Sequence, residues 1–357
     1  MDLIVLDSNL DAVDIVDTYE SLIWTERYQK HGDFELYTAV SDEILRLMHP
    51  DYYLTTRDSE YVMIIEDNVI KSDIENGNHL TTTGRSLESI LMRRILWGYT
   101  SIDGNLQNGI ESLLNSCIIN PTNPDRKINN FIFEASTDPA ITNLSLTAQY
   151  AAGSELYETI TKICTEYGIG FKITLNDHKQ FVFKLYAGAD RSYNQVNNQY
   201  VVFSPNYENL TNSNYLETKS SYKNVGLVGG EGEGLDRRYA SVGTGTGLNR
   251  REVFIDANDI TSDVGDGTSI TDAQYTAILQ QRGLEELANK GVTTSFEGEA
   301  ETTIMYRYGE DFFMGDIVQI ADEYGHESIS RVTELVRSED EGGSSTYPTF
   351  ENVEEGE

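Results

Sequence analysis

The chain has 357 residues, 39% hydrophobic and 10% aromatic, which is enough for two or three packed domains and excludes wholesale disorder. Its 59 acidic residues stand against 26 basic ones, and the formal net charge of −33 excludes the phosphate-neutralising surface of an ordinary nucleic-acid binder. Two cysteines exclude a disulfide framework, and no apolar run reaches the roughly 18 residues that cross a bilayer.

In chain order, short strand signals alternate with polar turns over the first hundred residues. Leu3 to Leu6 is a strand core, Ser8-Asn9 a turn, and Ser21 to Tyr28 a second strand with Leu22, Trp24 and Tyr28 as its apolar positions. Phe34 to Val40 follows the turn at His31-Gly32-Asp33, and Tyr61 to Glu66 and His79 to Thr83 continue the series, a pattern expected of a small barrel or sandwich. Ser86 is placed to cap a helix that buries Leu87, Ile90, Leu91 and Ile95.

The middle of the chain is mixed. Leu106, Ile110, Leu113, Leu114 and Cys117 fall at helical spacing until Pro121 and Pro124. A second helix from about Ser154 carries Leu156, Ile160, Ile163, Cys164 and Tyr167 and ends at Gly168. Its partner is expected to be the hairpin in which Phe171, Ile173 and Leu175 alternate, Asn176-Asp177 turns, and Phe181, Phe183 and Leu185 return. The cysteines then read as buried free thiols rather than a disulfide.

Beyond residue 200 strands dominate, punctuated by glycines at 229 to 234 and 243 to 247. Thr271 and Gln274 have capping-box spacing before a stripe of Tyr275, Ile278, Leu279, Leu284, Leu287 and Ala288. The last strands are Ser295 to Thr303, Asp316 to Ala321 and Ser330 to Val336, and an acidic, mobile tail is expected from 348 to 357.

Candidate chemistry is sparse. Asp7-Ser8-Asn9-Leu10-Asp11 opens like a calcium loop, but Ala12 and Thr18 stand where the turn glycine and the bidentate Glu belong, so a hairpin turn is the better reading. Asp263, Asp266 and Gly267 read as a polar loop before a helix rather than a cation site. Gly229 to Gly234 lacks the Lys of a phosphate loop, and its Glu231 and Glu233 repel phosphate. No Gly-x-Ser-x-Gly elbow occurs, the five His are scattered, and His326-Glu327 lacks the second His of a zinc-protease helix. No catalytic, cofactor-binding or metal-ligating residue is therefore assigned, and no enzyme activity and no cofactor are expected. A glycoside hydrolase hidden among the many carboxylates is the remaining catalytic alternative.

Several segments together resemble the hub proteins of long-tailed phages of Gram-positive hosts, the family of tail-associated or tail endopeptidase-like proteins. They are Ser21-Leu22-Ile23-Trp24-Thr25-Glu26-Arg27-Tyr28 with Gly32-Asp33-Phe34-Glu35-Leu36, and Gly84-Arg85-Ser86-Leu87 leading to Arg94-Ile95-Leu96. Asp190-Arg191-Ser192-Tyr193-Asn194, Val202-Phe203-Ser204-Pro205, Tyr222-Lys223-Asn224-Val225 and Gly230-Glu231-Gly232-Glu233-Gly234 continue the match. Tyr308-Gly309-Glu310-Asp311-Phe312-Phe313-Met314-Gly315-Asp316-Ile317-Val318 closes it.

The resemblance implies an α+β, mainly β fold similar to the hub of contractile tails, with two tail-tube-like β-barrels and an inserted α+β region. The first barrel is expected over 1–98, completed by strands from about 200–230, the insertion over 99–199, and the second barrel with one helix over 200–347. Three copies are expected to set six barrels in a ring, a homotrimer that joins the distal tail protein and tail tube proteins to receptor-binding or tip proteins. The tape measure protein is a further expected partner, and viral DNA is expected to pass through without specific binding. The expected location is the virion tail tip after assembly in the host cytoplasm, with no membrane anchor. A tail-tip peptidoglycan hydrolase and a carbohydrate-binding adhesin module are the alternatives.

Overall fold

The computed structural model describes residues 1–74, 77–265, 268–299, 305–321 and 327–353. The fold is mainly β and contains several sheets. The first part holds β1 (Leu3–Leu6), β2 (Ala12–Val16), β3 (Ser21–Arg27), β4 (Asp33–Ala39), α1 (Asp42–Leu47), β5 (Tyr53–Thr56), β6 (Ser59–Asp73) and β7 (Gly77–Ser86). Period-two alternation chooses the inner face: Phe34, Leu36 and Thr38 of β4 are buried while Glu35 and Ala39 are exposed. The inward residues meet Leu3, Val5, Leu22, Trp24, Leu54, Met63 and Leu80 in one core, joined by Ile44 and Leu47 of α1.

The segment after β7 departs from the sequence reading. Leu87–Arg93 is a 3-10 helix that Ser86 does not cap, and Ile95 is 42% exposed. The Ser86 hydroxyl is already engaged, accepting from the Gly32 amide at 2.6 Å and donating to the Glu88 carboxylate. Glu88 accepts in turn from the Ile173 amide at 2.7 Å and so ties this turn to the next part.

That part contains β8 (Thr100–Asn105), α2 (Leu106–Leu114), β9 (Phe131–Glu134), α3 (Pro139–Thr142), β10 (Ser145–Tyr150), α4 (Leu156–Glu166), β11 (Gly170–Leu175) and β12 (Phe181–Tyr186). The expected helix-on-hairpin unit is present, since Ile160, Ile163 and Cys164 share a core with Phe171, Ile173, Phe181 and Phe183. Both cysteines are buried and free. β9 adds in parallel to β12, a four-residue strand too short to announce itself by alternation.

The remainder holds β13 (Val202–Phe203), β14 (Thr211–Thr218), β15 (Val225–Gly229), β16 (Tyr239–Gly243), β17 (Glu252–Asp256), β18 (Asp263–Gly265) and β19 (Thr268–Ser269). It ends with α5 (Asp272–Ala288), β20 (Thr293–Glu299), β21 (Ile317–Ala321), β22 (Glu327–Asp340) and β23 (Gly343–Asn352). α5 starts with the expected capping box, Thr271 and Gln274 each closing on the other's backbone.

One large sheet runs in the order β14-β20-β23-β22-β3-β4-β7-β6-β5-β1-β2, with β21 on β22 and β13 on β21. Among the described residues this path is open and not a closed ring of strands. Two cores line it, the one described above and a second of Val201, Phe203, Phe312, Met314, Val318, Val332, Leu335 and Phe350.

β3 is flanked by β4 on one side and by Glu334 to Asp340 of β22 on the other. Two details differ from the sequence reading. β15, β16 and β17 form a separate sheet packed on α5 around Val228, Val242, Ile255, Tyr275 and Ile278, rather than joining the large sheet. Residues 348–352, read from sequence as the start of a tail, are the end of β23, where Phe350 is fully buried. One apolar residue between Thr349 and Glu351 gives little strand signal by itself, and here the neighbouring strands supply the pairing. Residues 354–357 and strand positions 300–303 lie outside the described residues.

Candidate functional surfaces

β22 is where the large sheet passes from one core to the other. Its first half, Glu327 to Arg331, pairs with β21, and its second half, Glu334 to Asp340, pairs with β3, with a register shift between Val332 and Glu334. Tyr28 sits at this handover, its amide donating to the Thr333 carbonyl at 2.9 Å. The ring is fully buried, edge-on to Tyr186 at 5.2 Å, with the Arg331 guanidinium 5.2 Å away, and its hydroxyl donates to the Gly168 carbonyl at 3.1 Å. A Cβ at Gly170 or Gly315 would stand 2.3 Å from this ring, so both positions require glycine, and Gly315 also has φ +90.

Buried charges pin the loops around the handover. Glu26 on β3 is 1% exposed, pairs with Arg337 on β22, and accepts from Ser59 at 2.6 Å and Tyr308 at 3.2 Å. Asp316 is 2% exposed and accepts from Arg191 Nε at 2.6 Å, the Ala189 amide at 2.7 Å and the Phe313 amide at 3.0 Å. The Asp190-Arg191 and Gly315-Asp316 segments are therefore two sides of one joint.

The motifs weighed for chemistry have structural partners. Asp7 Oδ1 accepts from the Asn9 amide at 2.8 Å and the Asp11 amide at 2.9 Å in the β1–β2 turn, and these bonds, the Asp11 amide first, hold its carboxyl below the usual range. The Gly229 and Gly230 carbonyls accept from Arg237, and the Glu231 amide donates to the Tyr275 hydroxyl at 2.7 Å. That loop clamps the first turn of α5. His31 packs on Tyr157, His79 pairs with Glu20 at 2.8 Å, and His49 and His178 lie in turns. Asp266, Gly267 and His326 lie outside the described residues. Among the described residues no group of three His, Cys, Asp or Glu side chains could hold a metal.

A cavity of about 600 Å³ opens between α4, the end of α5 and β22–β23, lined by Glu166, Lys223, Arg331 and Glu351 among others. Burial pushes Glu166 up to about 8, with Glu285 nearby raising it further, and burial also raises Glu351 and Glu285. Gln281 on α5 bonds Glu166 at the end of α4, and Tyr150 on β10 donates to Glu285 at 2.8 Å, so the acids hold α4 and β10 against α5. The unfolded carboxyl loses its proton near 4.5 and the folded one near 8, so the folded state binds more protons between these values. Stability should fall as pH rises through that window. Glu166→Gln should therefore stabilise the protein by about 1–2 kcal/mol at pH 8, discounted for its opening to water, and by almost nothing at pH 4.5. Thermal melts at the two pH values read this directly, and an equal shift at both would contradict the assignment.

A family profile described as Siphovirus ReqiPepy6 Gp37-like protein matches residues 2–350. The chain belongs to that family. No curated protein sequence matches this Gp37-like chain. Among solved structures it is similar to the tail protein from Neisseria meningitidis MC58, with TM-score 0.61, 14% identity, and 98% of this chain and 96% of that one covered. It is also similar to prophage tail protein gp18 from Listeria monocytogenes EGD-e, with TM-score 0.58, 14% identity, and coverage of 100% and 96%. The 43 kDa tail protein of prophage MuSo2 from Shewanella oneidensis gives TM-score 0.58, 12% identity, and 98% of each chain. The Gp37-like chain thus shares the fold of phage tail proteins. Sequence reasoning anticipated the Tyr28, Gly315 and Asp316 segments as motifs, but not that they meet. Glu26 stood inside the Ser21 to Tyr28 motif without a role, since one acid among 59 is anonymous until its burial is known, and Arg337 carried no signal.

Proposed function

We propose that this Gp37-like chain is the structural hub of a phage tail tip, without enzyme activity, that forms a trimeric ring around a channel for DNA ejection. The observation that carries the reading is the strand β22, which links two halves of one open sheet with separate cores. In this reading each half is one tube-like unit, and three copies supply six such units, the number that a six-fold tube requires. The curl of the first unit is tight enough that the Met1 amine meets Glu339 of β22. Closed point-group rings are the ordinary form of such homo-oligomers.

In this reading the ring joins the tail tube and distal tail proteins above to receptor-binding or tip proteins below, with the tape measure protein in the tube, inside the virion. The net charge of −33 suits a wall past which DNA slides, since each phosphate paired with a cation is a contact that must be broken as the duplex advances. Light scattering after size exclusion should give three times the 40.1 kDa chain mass. A monomer both at high concentration and in purified virions would sink the reading. The same preparation should leave peptidoglycan intact. Release of muropeptides that is lost in Glu166→Gln would instead favour the hydrolase alternative, because Glu166 and Glu351 line the same cavity.

A further inference from the structure

We propose that the two free edges of the large sheet are the two halves of one joint between copies, β2 of one chain adding to β14 of the next. This rests on the ring reading and names the contact that would close it. Among the described residues β2 pairs only with β1, and β14 only with β20, so the main path of the sheet ends in an unpaired edge at each side, while the branch strand β13 has β21 as its partner and both of its two residues buried. An unpaired edge is a template for another strand, and proteins that stay soluble blunt it unless it is used. A contact between different edges repeats head to tail and makes a ring if the rotation closes.

The two edges are unlike in charge. β2 is exposed from Ala12 to Ile15, with Val13 40% and Ile15 55% exposed, and it lies among the exposed acids Asp11, Asp14 and Asp17. Of these Asp11 pairs with Lys179 at 2.5 Å, and Asp14 accepts from the Ile15 amide at 2.9 Å. The last bond occupies an edge donor that an incoming strand would engage with its own carbonyl. β14 runs directly into Lys219, where Arg251 donates to the Lys219 carbonyl at 2.6 Å, the Lys223 amide to the Lys290 carbonyl at 2.9 Å and the Asn224 amide to the Arg251 carbonyl at 3.0 Å. Lys219, Lys223, Arg250, Arg251 and Lys290 thereby gather at one end of β14. Within this cluster Glu217 lies 3.9 Å from Lys219 and Glu252 pairs with Arg250 at 2.5 Å, while Lys223, Arg251 and Lys290 pair with no carboxylate among the described residues. Leu216, at the same end of β14, is 47% exposed.

In a chain this acidic, a cationic patch beside a free edge has an obvious counterpart in the acidic free edge of a second copy. The arrangement also selects against wrong pairings. Two β2 edges would set aspartates against aspartates, and two β14 edges would set lysines and arginines against each other, so only the unlike pair is favoured. Main-chain bonds supply the affinity and the flanking charges supply the register.

The test uses the full chain with single cysteines at exposed sites, because Cys117 and Cys164 are buried and unreactive in the folded state. Val13→Cys with Leu216→Cys in one chain, treated with a short bismaleimide, should give covalent trimers, and each single variant should give none. A ladder of cross-linked copies without closed trimers supports the joint while overturning the ring. Trimers by light scattering with no cross-link, or dimers from V13C alone, overturn the joint and leave the ring standing. Monomers with no cross-link overturn both. The triple variant K223E/R251E/K290E should weaken self-association at least tenfold. If it associates like the wild type but has lost a gel shift with duplex DNA, the patch is a nucleic-acid site and the joint is wrong.

Discussion

Arg337→Ala should lower the stability of this chain by about 3–5 kcal/mol, the usual cost of breaking a buried ion pair from one side. Glu26 is 1% exposed and, among the described residues, has Arg337 as its charge-bearing partner in a set completed by Ser59 and Tyr308. Truncating the arginine leaves a desolvated carboxylate between β3 and β22, at the seam of the two halves of the large sheet. Removing both charges is a different perturbation, since an apolar pair of similar volume is often neutral or better. The double variant E26L/R337M should therefore recover most of the loss, less the bonds forfeited by Ser59 and Tyr308. Urea midpoints at pH 7 separate the cases, and an R337A protein within about 1 kcal/mol of wild type would mean that the pair behaves like a surface one.

Tyr28→Ala should be comparably severe, at about 3–5 kcal/mol for an aromatic removed from a fully packed site. Its particular signature is loss of cooperativity. The ring touches Tyr186 and Gly170 of the α+β part, Arg331 of β22 and Gly315 of the loop before β21, so one side chain holds three parts in register. Calorimetry of the variant should resolve two transitions where the wild type has one. Tyr28→Phe keeps the packing and loses the hydroxyl bond to Gly168 with the longer contacts to the Tyr186 carbonyl and Arg331, a change of about 1 kcal/mol. A Y28A protein that melts in one transition near the wild-type temperature would show that the parts are coupled elsewhere.

Strands and helices that carry their own period were legible in the sequence. β4 alternates cleanly, α4 repeats Leu156, Ile160 and Ile163 on one face, and α5 opens with Thr271 and Gln274 as a reciprocal cap. What was not legible depends on partners far away in the chain. β23 has few apolar residues and becomes a strand because β20 and β22 flank it. The helix read after Ser86 became a 3-10 turn because the hydroxyl that would cap it is taken by Gly32 and Glu88, one of them 54 residues away. The assignment of β15 to β17 to the large sheet failed for a similar reason, since α5 covers one face of their own small sheet. The motif at Gly315-Asp316 was visible as a string of residues, but its purpose lies in the Tyr28 ring and the Arg191 fork that close on it.

A strand of 14 residues that serves both halves of the large sheet is also a mechanical element. At about 3.3 Å per residue β22 runs from one core to the other, hydrogen-bonded to β23 along one side and to β21 and then β3 along the other. A load directed along it is carried in shear, by many bonds stretched at once, whereas a load across it would open them one after another. Two units joined in this way move as one stiff body, and any bending between them has to concentrate at the register shift beside Thr333, where the Tyr28 backbone is already bound.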